Sequence, residues 1–340
     1  ASTTIGATGA VLKAVNVTAT SADTTSSTAT LSGDIFATTV TAVATSATNN
    51  DTIAFGDKVT ATTLNLDGAG AFSFADTATA AIVISGDSTS TVAADQIIVG
   101  AVTNDGTTGE GTLTFAATTE DTTLASTTIG ATGAVLKAVN VTSTANTATL
   151  AGNVFATTVT ATATDTTGSD KVAFNGTVNA GTLALVGTGS FSFDDIVTTT
   201  SDLDIVAGAK IVLTDGIVAG DTVFAATQNL TALTTSAVVT MPETLNSGSI
   251  NFIDYVGSGN TGAADAALLT VNNTTLATFA AAVGSDATIV KITATKKSAA
   301  TIASELNITT NQASALDNAV TALASGDATG LSAMQTALAA

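Results

Sequence analysis

The side chains in this sequence that could do chemistry are nearly all carboxylates. Of 340 residues, 27 are Asp or Glu, 8 are lysine, and there is no arginine, His or Cys. Paired carboxylates are the material of glycoside hydrolysis, one giving a proton while the other attacks or activates water. Three pairs stand close in sequence: Asp194–Asp195, Glu120–Asp121 and Asp202/Asp204. Adjacent residues on a strand point to opposite faces, so the first two pairs do not converge by themselves. As solvated turn residues they need no reaction to explain them, and the expectation is that the chain is not an enzyme. The other chemistry open to carboxylates is hard-cation binding. Asp and Asn gather at turn-like positions, and Asp51, Asp165, Asp170, Asp215 and Asp221 are the candidate calcium ligands. Neither an EF-hand loop nor the glycine-rich repeat of toxin-type β-rolls accompanies them. Calcium is the one cofactor this sequence suggests.

Much else is excluded. Without His or Cys there is no Cys/His zinc site, no Ser-His-Asp triad, no thiol nucleophile and no disulfide framework. A formal net charge of −19 without arginine argues against a phosphate-backbone binder, so no nucleic-acid partner is expected. Mean hydropathy is +0.47, but alanine supplies much of it. Apolar runs are only a few residues long, as at 80–84, so no transmembrane segment is expected in this chain. No basic and apolar leader pattern opens the sequence, which reads as a processed product or a piece of a longer chain.

The elements that must carry these carboxylates repeat. Residues 1–18 (ASTTIGATGAVLKAVNVT) recur letter for letter at 125–142. After a five-residue length difference at Ser21–Ser27, TATL at 28–31 matches 147–150, FATTV at 36–40 matches 155–159, and FSF at 72–74 matches 191–193. One unit is therefore about 120 residues, a period of stacked or tandem architecture. The indel, in a Ser/Thr stretch, marks a surface loop. We divide the chain into a first unit at 1–124, a second at 125–247, and a segment at 248–340 holding the last strands and a helical cap.

Within a unit, short runs of β-branched and aromatic residues are bounded by Gly, Asp, Asn or Ser, and no helical period persists. In the first run, Val11, Val15 and Val17 fall on one face with Leu12 and Ala14 on the other, by strict alternation. Such runs suit an all-β fold, either a parallel β-helix (solenoid) or tandem β-sandwiches. Tight-hairpin signals are few, charge is too sparse to blunt exposed strand edges, and small side chains suit coils stacked about 4.8 Å apart. The solenoid is the expected fold, with coils of roughly 20 residues, Val, Ile, Leu and Phe inward, and Thr, Ser and Ala outward.

After about Ser247 the pattern changes. Strands are expected at 250–253, 268–271 and 289–294, and the Ala-rich 276–283 reads as a helix candidate. Helical spacing then appears at 299–306, at 311–323 with Ala313, Leu316, Val320 and Leu323 on one stripe, and at 330–338. These helices are read as a cap over the last coil, with a partner-binding element as the alternative.

The motifs IGATGAVLKAVNVT, TATL-x-G-x-[IV]-FATTV and FSF resemble the repeats of autotransporter passenger domains, nearest to outer-membrane-protein-B-type surface antigens of alphaproteobacteria. The stretch SAATIASELNITTNQASALD at 298–317 resembles the helical end of such passengers. The resemblance implies a secreted β-helical passenger, cut from a translocator, at the bacterial cell surface, with an outer-membrane anchor elsewhere in the precursor. It implies an extracellular structural role, self-associating into a surface-layer-like coat or filament, or an adhesin that binds a receptor or glycan through solenoid loops.

Overall fold

A computed structural model describes residues 3–21, 25–48, 50–165, 169–206, 208–226, 236–255 and 263–324. The chain winds as a parallel β-solenoid. Its first sheet stacks β1 (Leu12–Ala19), β3 (Ile35–Ala44), β5 (Val59–Asp67), β7 (Ala78–Ser85), β9 (Ile98–Val99), β12 (Thr122–Ala125), β14 (Thr147–Leu150), β16 (Lys171–Phe174), β18 (Ser190–Phe193), β20 (Lys210–Leu213), β22 (Ala237–Thr240) and β24 (Leu269–Asn272), while β10 (Val102–Asn104) also pairs β7. The second stacks β2 (Thr28–Leu31), β4 (Thr52–Phe55), β6 (Ala71–Phe74), β8 (Thr89–Val92), β11 (Glu110–Ala117), β13 (Leu136–Ser143), β15 (Val154–Ala163), β17 (Val178–Val186), β19 (Val197–Ile205), β21 (Thr222–Ala226), β23 (Gly248–Tyr255), β26 (Ile289–Lys296) and β25 (Ala277–Val283). One apolar core runs from Ala19 to Ala294 without a break, so the two sequence repeats share one stack and are not separate sandwiches.

Coil length repeats with the sequence. Ile35 pairs Val59 and Val154 pairs Val178, both steps of 24 residues. Val59 pairs Ala78 and Val178 pairs Val197, both steps of 19. The first step differs: Leu12 pairs Ala37, 25 residues on, and Leu136 pairs Ala156, 20 on. The five-residue indel thus sits in the loop after β1, as expected, and the strands around it keep their partners. Ala22, Asp23 and Thr24 of that loop lie outside the described residues.

The repeat and the stack are out of phase. β1 and its twin β13 lie in opposite sheets. From β1 it is half a turn to β2 and five more steps to β13, so the second unit begins five and a half turns after the first. The long strands of unit one (β1, β3, β5, β7) are therefore continued by the short strands of unit two (β14, β16, β18), and the reverse holds in the other sheet. β11 makes the change, pairing the short β8 on one side and the long β13 on the other.

Long strands turn a corner. In β3, Ile35 and Ala37 face inward, Thr38 is exposed, and inward positions resume at Val40, Ala42 and Ala44. The alternation has slipped by one, so one strand lines two faces of the core. β13 does the same around Lys137, with Leu136, Val139 and Val141 all buried. Strict alternation had placed the leucine of this run opposite its valines; the corner puts all three inside. Alanine also departs from expectation. Ala37, Ala42, Ala44, Ala156, Ala161 and Ala163 are buried, because the turns close too tightly for larger residues. A Cβ on Gly70 or Gly189 would already lie 2.6 and 2.7 Å from the methyl groups of Ala44 and Ala163.

Phenylalanine fills the wide part of the core. Phe55 stacks on Phe74 at 5.0 Å between ring centroids, and Phe174 on Phe193 at 5.4 Å, as their register demands. Phe224 meets Phe193 and Phe252 edge-on. Each such ring contributes about 2–3 kcal/mol by leaving water. Gly130, at a φ of 74°, lets the I-G-A-T-G-A turn pass the next coil; a Cβ there would sit 2.1 Å from the Phe155 carbonyl oxygen.

The C-terminal end is closed. β26 runs antiparallel to β23, and β25 antiparallel to β26, which ends the parallel stack. The Ala-rich stretch at 276–283 is thus a strand, β25, and not a helix. Its Phe279 is half-buried against the main core, and its partner β26 fixes the extended form. A short α1 (Ala263–Leu268), not anticipated, precedes β24. Two helices follow, α2 (Ala299–Leu306) and α3 (Thr310–Ala324). Ser298 caps α2, accepting from Thr301 N at 3.1 Å. Thr309 and Gln312 form a reciprocal capping box at α3. Leu276, Ile302, Ala303 and Ala313 make a small second core that binds the helices to the end of the stack. The helix expected at 330–338 lies outside the described residues.

Candidate functional site

Turns between strands position the carboxylates, and there they bind the chain's own N–H and O–H groups. Asp51 ends the turn between β3 and β4. Its carboxylate is fully buried and accepts from Thr45 Oγ1 at 2.9 Å, Ser46 N at 3.1 Å, and the N–H groups of Ser21 and Ser27 at 3.3 Å. The first two donors belong to its own turn and the last two to the previous coil. Burial raises its pKa, but hydrogen bonds from Ser21, Thr45 and Ser27 outweigh burial and leave it below the ordinary carboxylate value.

Asp170 is the same position one repeat later. It accepts from Thr164 N at 3.1 Å, Asp165 N at 2.9 Å and, in a short bond, Ala145 N. Ala145 sits in the three-residue turn that replaces the longer loop of unit one, and adopts a φ of 72° to present its N–H. The clamp therefore holds either loop length.

The other calcium candidates are spent likewise. Asp165 accepts from Ser169 Oγ, Asp215 from Thr244 Oγ1 at 2.8 Å, and Asp221 from Val218 N at 2.8 Å. Asp165 and Asp170 meet through a backbone N–H; Asp51, Asp215 and Asp221 lie on other coils. Among the described residues no three acidic side chains come together in a way that could hold a metal ion.

The catalytic pairs separate. Asp194 accepts from Thr214 Oγ1 and Gly216 N, while Asp195 closes on Ile196 N at 2.7 Å. Asp121 accepts from Thr147 N at 2.6 Å, one coil away. Asp202 and Asp204 do share the outward face of β19, on either side of inward Leu203. A shallow groove of about 270 Å³ runs nearby over the corners of β15, β17 and β19, lined by Thr157, Asn179, Gly181, Thr198, Thr200 and Ser201. No charged side chain lines it, and it offers neither an acid nor a base.

A carboxylate as fully used as Asp51 escaped sequence reading. Asp95, at a φ of 60°, takes four bonds from one dipeptide a coil later: Thr118 N at 2.7 Å, Thr118 Oγ1 at 3.0 Å, Thr119 N at 3.0 Å and Thr119 Oγ1 at 2.5 Å. Burial raises its pKa, and these four bonds overcome burial and bring it down to about 2. Glu243 grips Thr275 in the same manner, and Glu110 accepts from Gly86 N at 2.9 Å. The signal was in the spacing. An acidic residue with Thr-Thr one coil later, or with Gly one coil earlier, marks a staple between coils.

What fold and site define together is a repetitive β-solenoid whose carboxylates tie neighbouring coils to each other. Comparison with family models, with curated proteins and with solved structures finds no match to this chain. No helix among the described residues is long and apolar enough to cross a membrane.

Proposed function

We propose that this chain is a non-catalytic structural protein of a bacterial cell surface, a secreted passenger that associates side by side into a coat. One observation carries the reading. The outward columns Thr112–Ala138–Thr158–Thr182 and Thr114–Asn140–Thr160–Ala184 cross four stacked strands, β11 to β17, without a charge. A molecule of net charge −19 repels its own copies except where such a face is presented. Flat Thr/Asn/Ala rows give that face hydrogen-bonding groups at the regular spacing of the strands. The closed C-terminal end favours lateral contact over end-to-end growth. Commitment of the carboxylates to staples accounts for them without a reaction.

Sedimentation velocity at rising concentration tests this. The wild-type chain forms large assemblies, and an Asn140→Lys/Thr160→Lys double variant does not. A wild-type monomer at every concentration contradicts the proposal. The loop after β1 supports a second reading, an adhesin, because it is the segment whose length differs between the units. Shortening it to the three-residue turn of unit two abolishes cell binding under that reading and leaves assembly untouched under the first.

A further inference from the structure

The two identical segments of this chain are buried to different extents. In unit two, Ile129, Leu136, Val139, Val141, Ala148 and Leu150 are at most 1% exposed. Their twins in unit one are not buried: Leu12 is 42% exposed, and Ile5, Val15, Val17, Ala29 and Leu31 are only partly covered. Composition cannot explain this, since the side chains are the same. Position does. β13 and β14 are overlaid by β11 and β12, whereas β1 and β2 pair only downward among the described residues, with β3 and β4.

We infer that the open edge of the first coil is a docking site for one more parallel coil with the pattern of residues 109–125, supplied by this polypeptide ahead of Ala1. The cover over unit two defines the fit. Leu113 lies over Val139 and Phe115 over Val141 in register, and Leu124 is buried beside them. Gly109 N reaches Val135 O at 2.9 Å at one end of the pairing, and Thr144 N reaches Ala117 O at 2.9 Å at the other. The twin acceptor and donor are Val11 O and Thr20 N. The covering coil in unit two is the one that immediately precedes it in the chain, running straight into the repeated segment at Ala125. The C-terminal end of a second copy does not fit this edge, because antiparallel β26 and β25 and the helical cap close it. A two-fold pairing of β1 with β1 of a second copy would be antiparallel and would lose the inward Leu and Phe.

The test adds a synthetic peptide of residues 109–125 to the full chain and follows amide exchange of Leu12–Ala19. Fragments reading into Ala19 distinguish β1 from β13, which has Ser143 there. The peptide slows exchange in β1 by about tenfold or more and leaves β13 unchanged, and a version with Leu113→Asp and Phe115→Asp has no effect. Joining residues 109–124 ahead of Ala1 gives the same protection without added peptide. Failure of both the peptide and the joined coil to protect β1 overturns the inference. So does a wild-type dimer whose β1 is already protected, which would assign the edge to a second copy.

Discussion

At the scale of the residue, the acidic side chains act as staples. Asp170 is 2% exposed and receives N–H groups from three turn residues. Asp170→Ala strands those donors in a buried turn and costs about 3 kcal/mol, read from urea denaturation. Calcium chelation leaves the melting temperature of the wild type unchanged, because the oxygens that would bind the ion already accept protein donors. Asp95 brings a pH dependence. Its folded pKa of about 2 lies below the ordinary 3.8, so its contribution is complete above that value and drains away as pH falls toward 2. Asp95→Asn loses about 1 kcal/mol at pH 7 after allowance for solvent screening, and its stability changes less between pH 4 and pH 2. Asp254 behaves in the opposite sense. Burial, then the charge of Asp286, raises its pKa, so its ionised form opposes folding at neutral pH and is relieved on acidification. Asp254→Asn therefore raises the melting temperature at pH 7.

At the scale of the element, identical sequence in two settings isolates the effect of burial. Leu136 is wholly buried and Leu12 is 42% exposed. Leu136→Ala costs about 3 kcal/mol by lost transfer energy and a residual cavity. Leu12→Ala costs less than about 1 kcal/mol in the same assay. Strands, coil lengths and α2 were legible in the sequence because each depends on local residues: β-branched runs, bounding glycines, a serine cap. The corner in β3 and β13 was not, since a one-residue slip looks like ordinary alternation until the next coil is in place. β25 was misread for a related reason. Ala277–Val283 has the composition of a helix, and only pairing with β26 makes it a strand. Asp51 and Asp170 stood out in the sequence as calcium candidates, but part of their donors come from the previous coil, so their oxygens looked vacant.

At the scale of the whole molecule, the half-turn phase shift decides how surfaces are distributed. Were each unit a whole number of turns, both runs of long strands would lie in one sheet. At five and a half turns, the long strands of unit one and those of unit two fall in opposite sheets. Uncharged columns therefore lie on both sheets, those of β11 to β17 on one and their twins Ala14–Thr39–Thr63–Ala81 and Asn16–Thr41–Asn65–Val83 of β1 to β7 on the other, so lateral contact has two faces to use. One end of the stack is sealed by antiparallel strands and helices, and the other presents an open parallel edge. The odd composition follows from this design: alanine inside the tight turns, threonine on the outward rows, phenylalanine in the wide core and acids at the coil junctions.

The central claim is that these rods associate through their sides. Negative-stain microscopy of the purified chain tests it most directly. The account predicts sheets or bundles of short rods aligned side by side, lost on Asn140→Lys/Thr160→Lys. Dispersed single rods at all concentrations, or filaments growing only from rod ends, would contradict it.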